Sequence, residues 1–250
     1  MFNIFVSVYV TMLGLILGSF YNVVALRIPV GKSIVSPPSR CPKCGTRLKG
    51  RDLVPVLSWI LSSGKCRYCQ APVSGLYALG EGVTGLLFLW VYLRTGLSGE
   101  SLVGWVLVSL CVIVSVSDLK YMLIPNKVLL FFLPVLVLLR IIYTEESIWN
   151  GVLGAVVGGG IVLLLALAGG MGMGDAKLFV LCGWVIGFPN VILAFLLSSA
   201  IGTLVYGMLM LLGFIKRKQP VPFGPWLAIG TIIAYGYGSE IIGGYLSLIR

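Results

Sequence analysis

Along the 250 residues, apolar positions gather into eight long runs separated by polar connections. The runs cover residues 2–26, 76–93, 101–117, 128–142, 151–168, 176–187, 191–215 and 226–249. Most approach the roughly 20 residues needed to cross about 30 Å of hydrocarbon, so each predicts a membrane-spanning helix. The sixth run is the shortest and stops at Gly187-Phe188-Pro189-Asn190, which makes its crossing the weakest of the eight. The first run lacks a basic start and has no clear small-residue cleavage site before Arg27, so it reads as a retained helix and not a cleaved signal peptide. The expected fold is all-α and polytopic: about eight transmembrane helices and one substantial polar insert, a small loop domain at 27–75.

Composition agrees with this pattern. The chain is 58% hydrophobic and only 10% charged, whereas soluble domains carry about a quarter charged residues. A net charge of +10 could point to nucleic acid, but its distribution points to topology. With the N-terminus outside and eight crossings, 15 of the 18 Lys and Arg residues fall in cytoplasmic connections, among them Lys216, Arg217 and Lys218. Only Arg94, Arg140 and Arg250 lie outside or near outer ends. Removing the sixth crossing would put Lys216, Arg217 and Lys218 outside, so parity favours eight spans. The expected partner of the basic surface is the lipid bilayer, with anionic head groups as a second use of the charge, and no nucleic acid.

Histidine is absent. That excludes a Ser-His-Asp or Cys-His nucleophile and an HExxH zinc centre. Acid–base chemistry must then come from carboxylates, thiols, lysines or tyrosines. Glu100, Glu145 and Glu146 belong to outer connections and Asp52 to the polar insert, where solvation accounts for them; Glu240 stands alone in the last span. Asp118 and Asp175 differ. Asp118 ends the third run ahead of Ile124-Pro125-Asn126, and Asp175 opens the sixth after a glycine-rich stretch at 169–174, with Lys177 two residues on. Both fall at the cytoplasmic boundary, so two helices could bring the carboxylates together. Such a pair shares a proton: one member can accept from water while the other polarises a carbonyl. The plainer alternatives are that Asp175 caps its helix and that Asp118 pairs with Lys120.

The insert carries Cys41-Pro-Lys-Cys44 and Cys66-Arg-Tyr-Cys69. Four thiolates offered in pairs suit a tetrahedral structural zinc, and the cytoplasmic placement weighs against the alternative of two disulfides. Cys111 and Cys182 lie in apolar runs and read as small buried hydrophobes. Glu81, early in the second span, is a functional candidate because an ionisable group there is costly.

The string Gly172-Met173-Gly174-Asp175-Ala176-Lys177-Leu178 resembles the GxGD motif of intramembrane aspartyl proteases, and most closely that of bacterial type IV prepilin peptidases. Gly18-Ser19-Phe20-Tyr21-Asn22-Val23, Arg27-Ile28-Pro29, the double CxxC loop, Asp118 with Ile124-Pro125-Asn126, and Pro222-Phe223-Gly224-Pro225-Trp226 are similar too, in family order over nearly the whole chain. The resemblance implies a peptidase of the bacterial inner membrane that removes the basic leader of prepilins and pseudopilins on the cytoplasmic side. It further implies N-methylation of the new N-terminus with S-adenosylmethionine. Asp118 and Asp175 would be its catalytic pair, Gly172, Gly174 and Lys177 its active-site loop, and Cys41, Cys44, Cys66 and Cys69 its zinc ligands. We expect a region 1–95 with the zinc loop and a methyltransferase-associated part, and a six-helix peptidase region 96–250. Glu81 could position the substrate's new amine or pair with a basic loop residue; the stretch Leu76-Tyr77-Ala78-Leu79-Gly80-Glu81 lacks the arginine and proline often found there. Tyr21 replaces a more usual leucine. Competing readings are a peptidase without methylation, a GxGD protease for another membrane substrate, a proton-coupled transporter, and a non-catalytic assembly subunit docking through the zinc loop.

Overall fold

The computed structural model describes residues 2–216 and 219–249. Arg217, Lys218 and Arg250, which entered the charge count above, lie outside the described residues. The regular structure described is helical: α1 (Phe2–Arg27), α2 (Leu57–Leu61), α3 (Gly75–Thr95), α4 (Gly99–Tyr121), α5 (Asn126–Tyr143), α6 (Ile148–Leu167), α7 (Met173–Ile186), α8 (Asn190–Leu211) and α9 (Gly224–Ile249). Each of the eight apolar runs corresponds to one helix, and α2 is a single turn inside the polar insert. The extended pairing among the described residues is limited to two isolated bridges, Arg40 with Arg47 and Lys65 with Pro72.

Six of these helices, α1, α3, α4, α5, α6 and α8, are long and apolar enough to cross a membrane. The protein is a multi-pass membrane protein. The 26 residues of α9 also suffice in length, though Ser239 and Glu240 interrupt its apolarity. The sixth run becomes α7, only 14 residues long, which at 1.5 Å per residue covers about 21 Å. Its far end is completed by other groups. The buried guanidinium of Arg140 on α5 donates to the carbonyls of Trp184 and Val185, and it pairs with Glu146 at 3.1 Å. Asn150 then donates to Glu146 and accepts the Phe188 N–H at 2.7 Å. Glu146 is therefore part of a structural tie and not simply a solvated loop charge.

The helices form two compact units, residues 1–97 and 98–250. In the first, α1 packs along α3. Gly14 and Gly18 allow this approach, since a Cβ on either would come within 2.9 Å of α3 atoms. In the second unit α4 is central: 72% of its apolar window is buried, against 22–28% for the other candidate spans. Helix α6 packs against α7, where Gly154 and Gly183 face so closely that a Cβ on one would strike the carbonyl oxygen of the other.

Candidate active site and metal centre

Asp118 lies in the last turn of α4, and the chain is pinned immediately beyond it. Met122 takes the left-handed conformation and donates its N–H to the Asp118 carbonyl at 2.8 Å. The fully buried Ser117 hydroxyl donates to the Leu123 carbonyl at 2.7 Å. Pro125 then precedes α5, because a residue without an N–H costs nothing at a helix start. Asp175 lies in the first turn of α7, where its Oδ2 accepts the Gly172 N–H at 2.9 Å. Asp175 is not the N-cap, which is Gly172; it is the third residue of the helix and its carboxylate reaches back to the Gly172 N–H, so one oxygen is held by the backbone and the other is left over.

Asp118 is held in the same way. Its Oδ2 accepts the Gly224 N–H at 2.8 Å, from the start of α9. Lys120, its suggested partner, is exposed at the surface. The two aspartates are 6% and 8% exposed, α4 packs on α7, and Asp175 lies within Coulombic reach of Asp118. A second approach relates the register of the two helices. Cys111 stands seven residues before Asp118 and Cys182 seven after Asp175, and the two buried thiols are close enough to interact. Seven residues are about two turns, so in antiparallel helices a contact between the thiols puts the carboxylates on facing sides.

Small residues let the loops approach. A Cβ at Gly224 would lie 2.9 Å from Asp118 Oδ2, one at Gly172 3.1 Å from Asp175 Oδ2, and one at Gly174 3.0 Å from the Ile124 Cβ. The exposed Lys177 donates to Asn126 Oδ1 at 3.0 Å, tying the glycine-rich loop to the turn after Asp118. Gly224 and Tyr206 were given no role by sequence reasoning. The Tyr206 hydroxyl donates to the Pro222 carbonyl, and its ring meets that of Trp226 edge-on at 5.5 Å. Tyr206 thereby braces the segment whose Gly224 N–H holds Asp118. The Pro-Phe-Gly-Pro-Trp string marked this segment, but its partners on α4 and α8 are invisible locally.

The other cluster lies in the first unit. Each CxxC forms a knuckle: Cys41 N–H donates to the Thr46 carbonyl and Cys66 N–H to the Ala71 carbonyl. Positive φ angles at Gly45 and Gln70, each just past the knuckle's second cysteine, reverse the chain. The Sγ atoms of Cys41, Cys44, Cys66 and Cys69 lie within 4.8 Å of one another, and those of Cys41 and Cys69 are 3.8 Å apart. A tetrahedral ion with metal–sulfur bonds of about 2.3 Å requires sulfurs about 3.8 Å apart. The four thiols can hold a metal ion, and they are free, not paired as disulfides. The Thr46 hydroxyl and N–H beside the exposed Cys44 pull its thiol down to about 6, while burial and the neighbouring thiols push Cys69 up to about 11. Asp52 joins the knuckles. It accepts the Lys49 N–H and the Tyr68 hydroxyl, both at 3.0 Å, beside Arg67 at 3.6 Å. The Lys49 N–H foremost holds this carboxyl below the usual carboxylate range. Its side chain is only 7% exposed, so the solvated-loop reading of Asp52 is corrected: it organises the loop. Glu81, 9% exposed on α3, accepts the Val56 N–H of the same loop at 2.7 Å.

Residues 12–95 match the family model described as the bacterial peptidase A24 N-terminal domain, and residues 105–208 that of the type IV leader peptidase family. A Bacillus subtilis protein named prepilin leader peptidase/N-methyltransferase is 42% identical over 237 residues, covering 94% of this chain and 96% of that one. The chain belongs to the type IV leader peptidase family. Proteins of the same name from Aeromonas hydrophila and Stutzerimonas stutzeri are 33% and 30% identical, each covering 95% of this chain and 93% of its own. No solved structure matches. Within this leader peptidase, both matched segments carry one of the clusters: the cysteines in the first, Asp118 and Asp175 in the second.

Proposed function

We propose that this protein is a membrane aspartyl endopeptidase that removes the basic leader of type IV prepilins or pseudopilins and then N-methylates the new N-terminus. The observation that carries the reading is the buried pair Asp118 and Asp175, on helices that pack together and each fixed by a glycine N–H on one oxygen. Two such carboxylates sharing one proton supply both halves of peptide hydrolysis. The ionised member accepts a proton from water as the water oxygen attacks the carbonyl carbon. The protonated member donates toward the carbonyl oxygen, and the C–N bond then breaks with a proton delivered to the leaving amine. No histidine and no covalent intermediate is needed. The family shared with proteins named prepilin leader peptidase/N-methyltransferase supports the substrate.

The lipid bilayer of the bacterial inner membrane is the proposed setting, with the N-terminus outside and both clusters facing the cytoplasm. A prepilin leader is basic and cytoplasmic, and the helix after it is apolar, so the junction would meet the dyad at the inner boundary. Zinc is the proposed ion of the four cysteines, since closed tetrathiolate sites hold structural zinc. S-adenosylmethionine would supply the methyl group. Glu81, proposed for the substrate amine, has its carboxylate engaged with the loop backbone, and no step is derived through the donor.

The test is mass spectrometry of a prepilin after incubation with the purified protein, with and without S-adenosylmethionine. Leader loss is expected in both samples and a further methyl mass only with the donor. An intact precursor in both would overturn the peptidase reading. Leader loss without the added methyl would leave a peptidase alone.

A further inference from the structure

The single turn α2 and the residues before it leave much of their apolar surface exposed. Leu53, Val54, Leu57, Ile60 and Leu61 are 41–76% exposed, and Leu57, Ile60 and Leu61 fall at the i, i+3, i+4 spacing of one helix face. In an aqueous loop such a face is a liability. The structure also fixes its level. Val56, which precedes α2, takes φ 61, ψ −52, a costly conformation for a β-branched residue. Its N–H is held at 2.7 Å by Glu81. Glu81 is the seventh residue of α3, about 9 Å along it. The 21 residues of α3 span about 31 Å, little more than the hydrocarbon itself. Glu81 therefore cannot stand clear of the bilayer, and it draws Val56 down beside it.

Charge completes the picture. Residues 27–74 carry nine Lys and Arg against the single acid Asp52. Arg51 precedes the apolar segment closely, and Lys65 and Arg67 follow it. An apolar face with basic flanks is the composition of an interfacial element on anionic lipid. Being tethered between α1 and α3, it needs only modest affinity of its own.

We propose that the apolar face of 53–61 docks the cysteine loop into the cytoplasmic leaflet, inserting Leu57, Ile60 and Leu61 among the acyl chains while the basic flanks meet anionic head groups. Glu81 is then a positioning residue that sets the depth of insertion through the Val56 N–H. This docking is independent of the peptidase reading.

The test uses the full chain in lipid nanodiscs, of phosphatidylcholine alone or with phosphatidylglycerol added. A photoreactive benzoylphenylalanine is placed by Ile60→benzoylphenylalanine, by Leu61→benzoylphenylalanine, or, as control, by Arg47→benzoylphenylalanine in the first knuckle. Retained zinc verifies folding of each variant. After irradiation, mass spectrometry should find lipid adducts at 60 or 61, increased by phosphatidylglycerol, and none at 47. Adducts to residues 98–250 of the same chain would overturn the proposal by showing an intramolecular contact. So would equal lipid labelling at 47, no lipid adduct at 60 and 61, or labelling indifferent to phosphatidylglycerol.

Discussion

The oxygen of Asp118 that accepts the Gly224 N–H would lie 2.9 Å from a Cβ at that position, so Gly224→Ala must push the carboxylate and its donor apart. A hydrogen bond to a charged group is worth about 1.5–3 kcal/mol. Leader removal by Gly224→Ala is therefore expected to slow roughly ten- to a hundredfold, measured as kcat/KM on a prepilin. Tyr206 acts one step further out, through the Pro222 carbonyl. Tyr206→Phe keeps the ring against Trp226 and loses one neutral bond, about 1 kcal/mol, so kcat should fall about fivefold with KM unchanged. A fall in KM affinity at constant kcat would contradict that role. Asp118 and Asp175 were legible in the sequence because carboxylates at the ends of apolar runs are scarce here. Gly224 was not legible as a donor, since the bond joins residues 106 apart and a glycine carries no chemical signature. Asp52 and Glu146 read as solvated acids because contacts with neighbours far along the chain, or across a turn, leave no mark on composition.

The eight apolar runs became eight helices because lipid forces every backbone group to be satisfied within its own segment, and that constraint writes helix length into composition. The exception is instructive. Helix α7 is only 14 residues long, and Arg140, Glu146 and Asn150 complete its far end. Nothing in 176–187 announces this; Arg140 looked like an outer-end charge. Arg140→Ala leaves the Trp184 and Val185 carbonyls of α7 without their donor, while Glu146 keeps its bond from Asn150. A buried carbonyl left without its donor costs about 1–3 kcal/mol. The thermal midpoint of the detergent-solubilised protein should drop and cleavage with it, because Asp175 rides on α7, while bound metal stays unchanged. An unaltered midpoint would remove Arg140 from the account.

The molecule divides its chemistry between two units, cysteines in 1–97 and aspartates in 98–250. The double CxxC made the four-cysteine cluster of the first legible, whereas the packing of α4, α7 and α9 around the dyad depends on approaches that only the folded chain displays. Metal removal should act on one unit. The purified protein is expected to hold about one zinc, and a chelator should open residues 32–74 to protease while 98–250 stays resistant, since the loop is too small and polar to fold unaided. Simultaneous collapse of both units would contradict this division. The central claim is that Asp118 and Asp175 together cut the substrate. It is tested most directly by assaying Asp118→Asn and Asp175→Asn on a prepilin, with zinc content and thermal midpoint measured on the same preparations. Loss of cleavage in each variant, with zinc retained and folding intact, is the expected result. Full cleavage by either would contradict the account.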